Sequence, residues 1–267
     1  MDLRSKVIWI TGASSGIGRE LAIQLSLRGA KLILTARREE QLEETRQLCV
    51  NSEQHKILSC DLNDYHQAAH WAERAVAMYG HVDILVNNAG VSQRGGVIDT
   101  PIDVDEALIR LDYLSLVALS KAIMPHFIER QSGYYVNISS VAGKLGAPMR
   151  TSYSGAKHAV VGFSDSLRFE LFPHNIKVTV ICPGYVQTPI AVSALNEKNE
   201  AANMYDPDIE NGMPVTTAVR KIIRAMEAQK NEVLVANGMP WLGYHLRRLL
   251  PNTFPALMTK MVKAKKQ

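Results

Sequence analysis

Short runs of β-branched and apolar residues alternate with amphipathic helical periods along the first 190 residues of the chain. Val7–Thr11, Lys31–Thr35, Lys56–Cys60, Val82–Asn87, Tyr134–Ser139 and Ile176–Cys182 read as strands, and Glu232–Ala236 as a last one. Between them, 3.6-residue periodicity predicts helices near Ile17–Arg28, over Glu39–Val50, and from an Asp64 cap to about Tyr79. Further helices follow over Asp103–Arg130, interrupted near Asp112, and over Tyr153–Leu171 and Val215–Ala228. Strands that are apolar on both faces and separated by helices require a mostly parallel sheet covered on both sides. The right-handed crossover rule makes this an α/β fold, a Rossmann-type doubly wound parallel sheet of about seven strands. Ligands of such sheets bind beyond the carboxyl ends of the strands, where strand order reverses.

Two stretches break the alternation. Residues 186–213 are too long for an ordinary strand-to-helix loop and read as a substrate lid. Residues 238–267 form a tail in which Trp241–Leu250 and Phe254–Met261 read as two short amphipathic helices around Pro251-Asn-Thr. No linker divides the chain, and 267 residues with 46% hydrophobic content suit one domain spanning 1–267. Cys49, Cys60 and Cys182 cannot all pair and show no metal spacing; they read as buried thiols in a reducing compartment.

Charge narrows the class. Six Lys or Arg and no acid follow Trp241, so the tail carries +6 of a net +4 and residues 1–240 sum to −2. A weakly acidic body argues against a nucleic-acid partner. No apolar run reaches membrane-spanning length and the first strand begins within seven residues, so the expected address is cytoplasmic. The eight histidines form no close cluster, and no metal is assigned.

Thr11-Gly-Ala-Ser-Ser-Gly-Ile-Gly18 follows the first strand and opens a helix. Glycines at 12, 16 and 18 allow a tight turn, close approach of a diphosphate, and close packing of helix on strand. The helix amino terminus then favours the phosphate charge. The spacing, G-x-x-x-G-x-G, resembles that of the short-chain dehydrogenase/reductase family. Further segments carry the resemblance in the family's order: Asn87-Asn-Ala-Gly90, Asn137-Ile-Ser-Ser140, Tyr153-Ser-Gly-Ala-Lys157 and Pro183-Gly-Tyr-Val-Gln-Thr188. Together they cover about residues 5–190, and the tail is similar to that of the branch resembling the eleven-beta-hydroxysteroid dehydrogenases.

The resemblance implies a nicotinamide cofactor held by Thr11, Gly12, Ser14, Ser15, Gly16, Ile17 and Gly18 at the turn. Asp61 and Leu62 would lie at the adenine, Asn88, Ala89 and Gly90 along the cleft, and Pro183, Gly184, Val186 and Thr188 at the nicotinamide or diphosphate. The second strand ends Thr35-Ala36-Arg37-Arg38 with no acid before Glu39. A carboxylate there would repel the 2′-phosphate of NADP, whereas a guanidinium binds it with paired, charge-assisted hydrogen bonds. Arg37 and Arg38 therefore favour NADP(H) over NAD(H), unless they merely pair with the acidic patch Glu39, Glu40 and Glu43.

Tyr153 and Lys157 are four apart on a predicted helix and share a face. A tyrosine is a poor base near neutrality, and a neighbouring ammonium stabilises its phenolate. By resemblance Tyr153 is the general acid or base, Lys157 its modifier and a ribose ligand, and Ser140 the group that orients the substrate carbonyl. The family has Asn in the helix before the fifth strand, where a backbone carbonyl helps hold a water joined to the lysine. This chain has Asp112 there, which keeps an acceptor, loses the amide donor and adds charge near Lys157. The expected activity is NADP(H)-dependent interconversion of a carbonyl and an alcohol; the alternative is a non-catalytic NADP(H)-binding sensor or scaffold.

The lid and tail supply apolar side chains beyond the needs of the sheet, and Leu145, Met149 and Tyr185 flank the presumed reacting atoms. These imply an apolar substrate. The tail is expected to cover the pocket or pack on a partner subunit, and its basic face would also suit weak contact with a membrane surface. The resemblance implies a homodimer or homotetramer assembled through the helices over residues 115–130 and 153–171. Asn137-Ile-Ser139 fits a glycosylation sequon but falls within a central strand, and is discounted.

Overall fold

The computed structural model describes residues 1–264; Lys265 and Lys266 of the basic tail lie outside the described residues. Seven strands form one parallel sheet: β1 (Val7–Thr11), β2 (Lys31–Thr35), β3 (Lys56–Ile57), β4 (Ile84–Asn87), β5 (Gly133–Ile138), β6 (Ile176–Pro183) and β7 (Glu232–Val235). Their order is β3-β2-β1-β4-β5-β6-β7, so direction of winding reverses between β1 and β4. That is the expected doubly wound sheet, and the reversal fixes where its cleft opens.

The period-2 alternation sorts side chains between two apolar layers. Ile8, Ile10, Leu32 and Leu34 face one layer with Leu21 and Leu25 of α1 (Gly16–Ser26) and Ile222 and Ile223 of α8. Val7, Trp9, Ile33 and Leu85 face the other, with Trp71 of α3 (Ala68–Ala77) and Phe127 of α5. The remaining helices are α2 (Glu39–Leu48), α4 (Ile102–Ile109), α5 (Ser115–Glu129), α6 (Thr151–Leu171), α7 (Pro207–Glu210), α8 (Val215–Glu227), α9 (Gly238–Leu249) and α10 (Thr253–Ala264). Leu116, Leu119, Ile123 and Phe127 of α5 are buried in the protein's own interior. Beneath the sheet, buried Asp83 accepts the Val7 N–H at 2.9 Å and meets Arg130 at 3.0 Å, Lys6 at 3.6 Å and His81 at 3.3 Å.

Several local expectations change. β3 pairs with β2 at only two positions because it is an edge, although Leu58 and Cys60 still donate to Leu34 and Ala36. Asp64 does not cap α3; it sits inside a 3₁₀ stretch (Leu62–Gln67) that Asp61 caps through Asn63 N–H at 3.0 Å. Cys60 is half-buried at the cleft rather than fully enclosed. Lys144 pairs with Glu232 at 2.5 Å. Asn137 is fully buried and bonds Asn87 and Ser164, at 2.9 and 2.8 Å, across the middle of the sheet.

The interruption expected near Asp112 is a π turn over Arg110–Leu114 between α4 and α5. The tail forms two helices as read. Pro240 packs where a side chain on Gly184 would reach it within 3.2 Å, and Gly243 lies over Leu145, so the tail covers the end of β6.

Candidate active site

A cleft of about 560 Å³ opens at the carboxyl ends of the strands, from Arg37 and Arg38 at one end to Ser140, Tyr153 and Tyr185 at the other. Its floor is the glycine turn. Gly12 and Gly16 have φ of +64° and +53°, which disfavours any side chain. A Cβ on Gly18 would lie 2.2 Å from Gly12 O, so the third glycine lets α1 approach the turn. Ser15, at the helix cap, makes no side-chain capping bond, leaving first-turn N–H groups for a ligand. A side chain on Gly16 would meet Thr188 at 3.3 Å across the cleft.

Ser14, Ser15, Ile17, Asp61, Leu62, Asn88, Ala89, Gly90, Pro183, Gly184, Val186 and Thr188 all line this cleft. Thr11 and Gly18 do not; they shape it. Thr11 Oγ1 accepts the N–H groups of Asn88 and Ala89 at 2.9 and 3.0 Å, tying the end of β4 to the glycine turn. Arg37 and Arg38 are exposed, while Glu43 pairs with Arg46 and Glu44 with Arg19.

At the other end, Ser140 Oγ accepts the Ala142 N–H at 3.1 Å and donates to Pro183 O at 3.5 Å. Tyr153 and Lys157 share one face of α6, with the ammonium 5.7 Å from the ring centroid. Lys157 Nζ donates to Ile138 O at 3.4 Å and lies 3.1 Å from Asp112 Oδ2, the two side chains being 6% and 0% exposed. Asp112 Oδ1 accepts the Val91 N–H at 2.8 Å. A Cβ on Gly90 would stand 3.0 Å from both carboxylate oxygens, so a side chain there would press on Asp112. Burial pushes the Asp112 carboxyl above its ordinary value. Burial would push Lys157 down, but Asp112 and Tyr153 outweigh it and hold the ammonium above its ordinary value.

The substrate end differs from expectation in its polar residues. Tyr185 lines the cleft, while Leu145 lies under the tail and Met149, at φ +59°, is half exposed away from it. Two arginines that sequence reading passed over, Arg94 and Arg150, line it instead. Both contact Asp206 Oδ2, Arg150 at 3.0 Å. Their signal was positional: Arg150 stands three residues before Tyr153, and Arg94 four after Gly90. Gln93, fully buried, accepts the N–H groups of Ser152 and Tyr153 at 3.0 and 3.3 Å and so caps α6. Leu195, in the 186–213 stretch, accepts the Arg94 N–H at 2.9 Å and donates to Ser92 O at 2.8 Å, securing that stretch beside this segment.

The family model for short chain dehydrogenases matches residues 6–200. Dehydrogenase/reductase SDR family member 7B from Bos taurus is 38% identical over 272 residues, covering 99% of this chain and 84% of that protein. A short chain dehydrogenase/reductase from Burkholderia phymatum, solved in complex with NAD, superposes with a TM-score of 0.81 at 23% identity, covering 93% of this chain and 94% of that one. A short chain dehydrogenase from Burkholderia cenocepacia J2315, solved in complex with NADP, superposes at 0.80 and 23% identity, covering 96% and 98%. With this sheet, this glycine turn and these relatives, the chain belongs to the short-chain dehydrogenase/reductase family and has the role of an NAD(P)-dependent oxidoreductase.

Proposed function

We propose that the chain is an NADP(H)-dependent oxidoreductase that interconverts a carbonyl and a primary or secondary alcohol on a largely apolar substrate. The observation that carries this reading is the convergence of Ser140, Tyr153 and Lys157 on the cleft that the glycine turn floors. The residues present fit the cofactor: the positive-φ glycines and uncapped α1 leave a cradle for a diphosphate that a Cβ would fill. Ser14, Ser15 and Ile17 would hold it there, Asp61 and Leu62 the adenine, and Asn88 and Lys157 the ribose beside the nicotinamide. The bound nicotinamide supplies or accepts the hydride at the substrate carbon.

The chain's own residues then manage the oxygen. Ser140 hydroxyl donates to the substrate carbonyl and fixes its direction. Tyr153 hydroxyl delivers a proton to that oxygen during reduction and takes it back during oxidation. Lys157 keeps positive charge beside the tyrosine, and Asp112 keeps Lys157 charged although it is buried. The low polarity around these groups strengthens each of these interactions.

Preference for NADP(H) rests on Arg37 and Arg38. Of the acidic patch that could have neutralised them, Glu43 is engaged with Arg46, and among the described residues no ion pair joins Arg37 or Arg38 to Glu39 or Glu40. The two solved relatives divide, one holding NAD and the other NADP, so the proposed preference draws its support from this chain's own strand end and not from them. Residues 1–267 act as one domain, with 186–213 as its lid, and assemble as a homodimer or homotetramer. Among the described residues no helix is long and apolar enough to cross a membrane. Exposed Trp241, Leu242 and Leu249 beside Arg247 and Arg248 suit weak peripheral contact, as in the hydroxysteroid dehydrogenase-like branch.

The test is reduction of a panel of aldehydes, ketones and diketones by NADPH, followed at the nicotinamide absorbance, with Tyr153→Phe alongside. The variant keeps the ring and loses the proton donor, so turnover should fall by about 10²–10⁴-fold while NADPH still binds. Wild-type turnover in that variant would remove Tyr153 from the mechanism. Tight NADPH binding with no reduction of any substrate would favour the sensor or scaffold.

A further inference from the structure

Arg94 and Arg150 reach the substrate end of the cleft from two directions, one from the loop after β4 and one from the start of α6. Their side chains are 8% and 17% exposed. A buried guanidinium needs an anionic partner, and here two of them share a single carboxylate oxygen, Asp206 Oδ2. The other oxygen of Asp206 is spent on the amino terminus of α7, accepting from Asp208 and Ile209. Arg94 also donates to Ser92 Oγ at 3.1 Å and Gln93 O at 2.8 Å, neither of which carries charge. The Arg150 guanidinium has no hydrogen bond besides Asp206 among the described residues and stands 5.9 Å from the Tyr185 ring centre.

Neighbouring acids do not cancel the excess inside the cleft. Asp206, Asp208, Glu197 and Asp105 lie near these residues but outside the cleft lining, and Asp105 is bonded to Ser152. The one acid that lines this end, Asp112, is matched by Lys157. Set against each other, Arg94 and Arg150 bring two positive charges to the single carboxylate of Asp206, which leaves the trio with a net charge of +1. Burial first and the repulsion of Arg150 second press Arg94 below its ordinary pKa, against the pull of Asp206.

We propose that Arg94 and Arg150 form an oxyanion-binding subsite that selects substrates carrying a carboxylate or phosphate monoester near the reacting carbonyl. The substrate is then an amphiphile, with its apolar part against Val91, Ile190 and Ile209 and its anionic group on the two forks. A planar guanidinium matches either anion with paired hydrogen bonds, which a lone apolar pocket cannot offer. This inference rests on the hydride-transfer reading above for its use in catalysis, but not for its binding test.

That test uses protein saturated with NADP⁺, so that the cofactor's own phosphate sites are filled, and titrates it with hexyl phosphate, hexanoate and 1-hexanol by calorimetry. One or both anions should bind about tenfold tighter than the alcohol or better. Arg150→Met should bring that ratio down to about twofold or less, with Arg150→Lys between the two. Equal affinity for all three ligands in the wild type overturns the proposal, as does a Met variant that keeps the full preference. The wild-type comparison decides the question even if the variants fail to fold. Because none of the three ligands can be reduced, a lack of ketone turnover would count against the proposed reaction and leave this result standing.

Discussion

Asp112 Oδ2 lies 3.1 Å from Lys157 Nζ, with both side chains closed off from water. The π turn over Arg110–Leu114 places that carboxylate, and the Val91 N–H fixes its other oxygen. The pair is direct, with no group between carboxylate and ammonium. Its effect on Lys157 is to hold the ammonium's pKa up against burial. Asp112→Asn removes that hold, so Lys157 loses its proton at lower pH. The basic limb of the kcat/KM profile for ketone reduction should move toward acid. A limb that stays put in the variant would mean that Asp112 does not act through Lys157.

Asp83 gives a separate dependence on pH. Burial pushes its carboxyl up, but the Val7 N–H, Arg130, Lys6 and His81 outweigh that and hold it below the ordinary carboxylate range. A depressed pKa contributes stability that is present above the unfolded value, roughly 3.9, and is lost as pH falls through the folded one. Asp83→Asn should cost about 2–4 kcal/mol near neutrality by leaving Arg130 and the end of β1 poorly matched. The gap between variant and wild type should close on acidification. Urea denaturation at neutral and acid pH measures both, and a gap that widens in acid would contradict the assignment.

Arg37→Ala addresses cofactor choice. Removing the proposed charge-assisted contact to the 2′-phosphate should lower NADP affinity about tenfold or more and leave NAD affinity nearly unchanged. Calorimetric titration with both cofactors reads the ratio. If the ratio does not move, the phosphate is held elsewhere, with Arg38 the next residue to replace.

Gly18→Ala tests the glycine turn where conformation is not the issue. A methyl group would stand 2.2 Å from Gly12 O and 2.5 Å from Asn88 Nδ2, so α1 must back away from the strand. Overpacking of this kind should cost about 1–3 kcal/mol. The displaced amino terminus should also weaken NADPH binding. Wild-type melting temperature and affinity together would show that the third glycine is dispensable.

The sheet was legible because burial on two faces leaves strands as continuous apolar runs, as in Val7–Ile10 and Ile84–Val86. The glycine turn and the Tyr153–Lys157 pair were legible because their spacing is local. The interruption at Asp112 was also visible, but not what Asp112 touches, since Val91 and Lys157 are brought to it by tertiary packing. Asp64 misled because a polar residue before an apolar run is a fair cap, and Asp61 reached the free N–H first. Arg94 and Arg150 escaped notice because neither belongs to a motif; only the folding of residues 186–213 gives them Asp206 in common. Leu145 and Met149 show the reverse error, in which nearness in sequence to Ser140 and Tyr153 does not bring a side chain to the cleft.

Gln93 is braced from two sides, its side chain seating the first turn of α6 while its neighbours clasp Leu195. With residues 186–213 as the proposed lid and Tyr153 as the proposed acid, entry of a ligand and alignment of the tyrosine would be mechanically linked. A guest bulky enough to part Leu195 from Ser92 and Arg94 breaks two backbone hydrogen bonds and loosens the footing of the helix that carries the tyrosine. The enzyme would penalise an oversized substrate in the rate of proton delivery as well as in how well it fits.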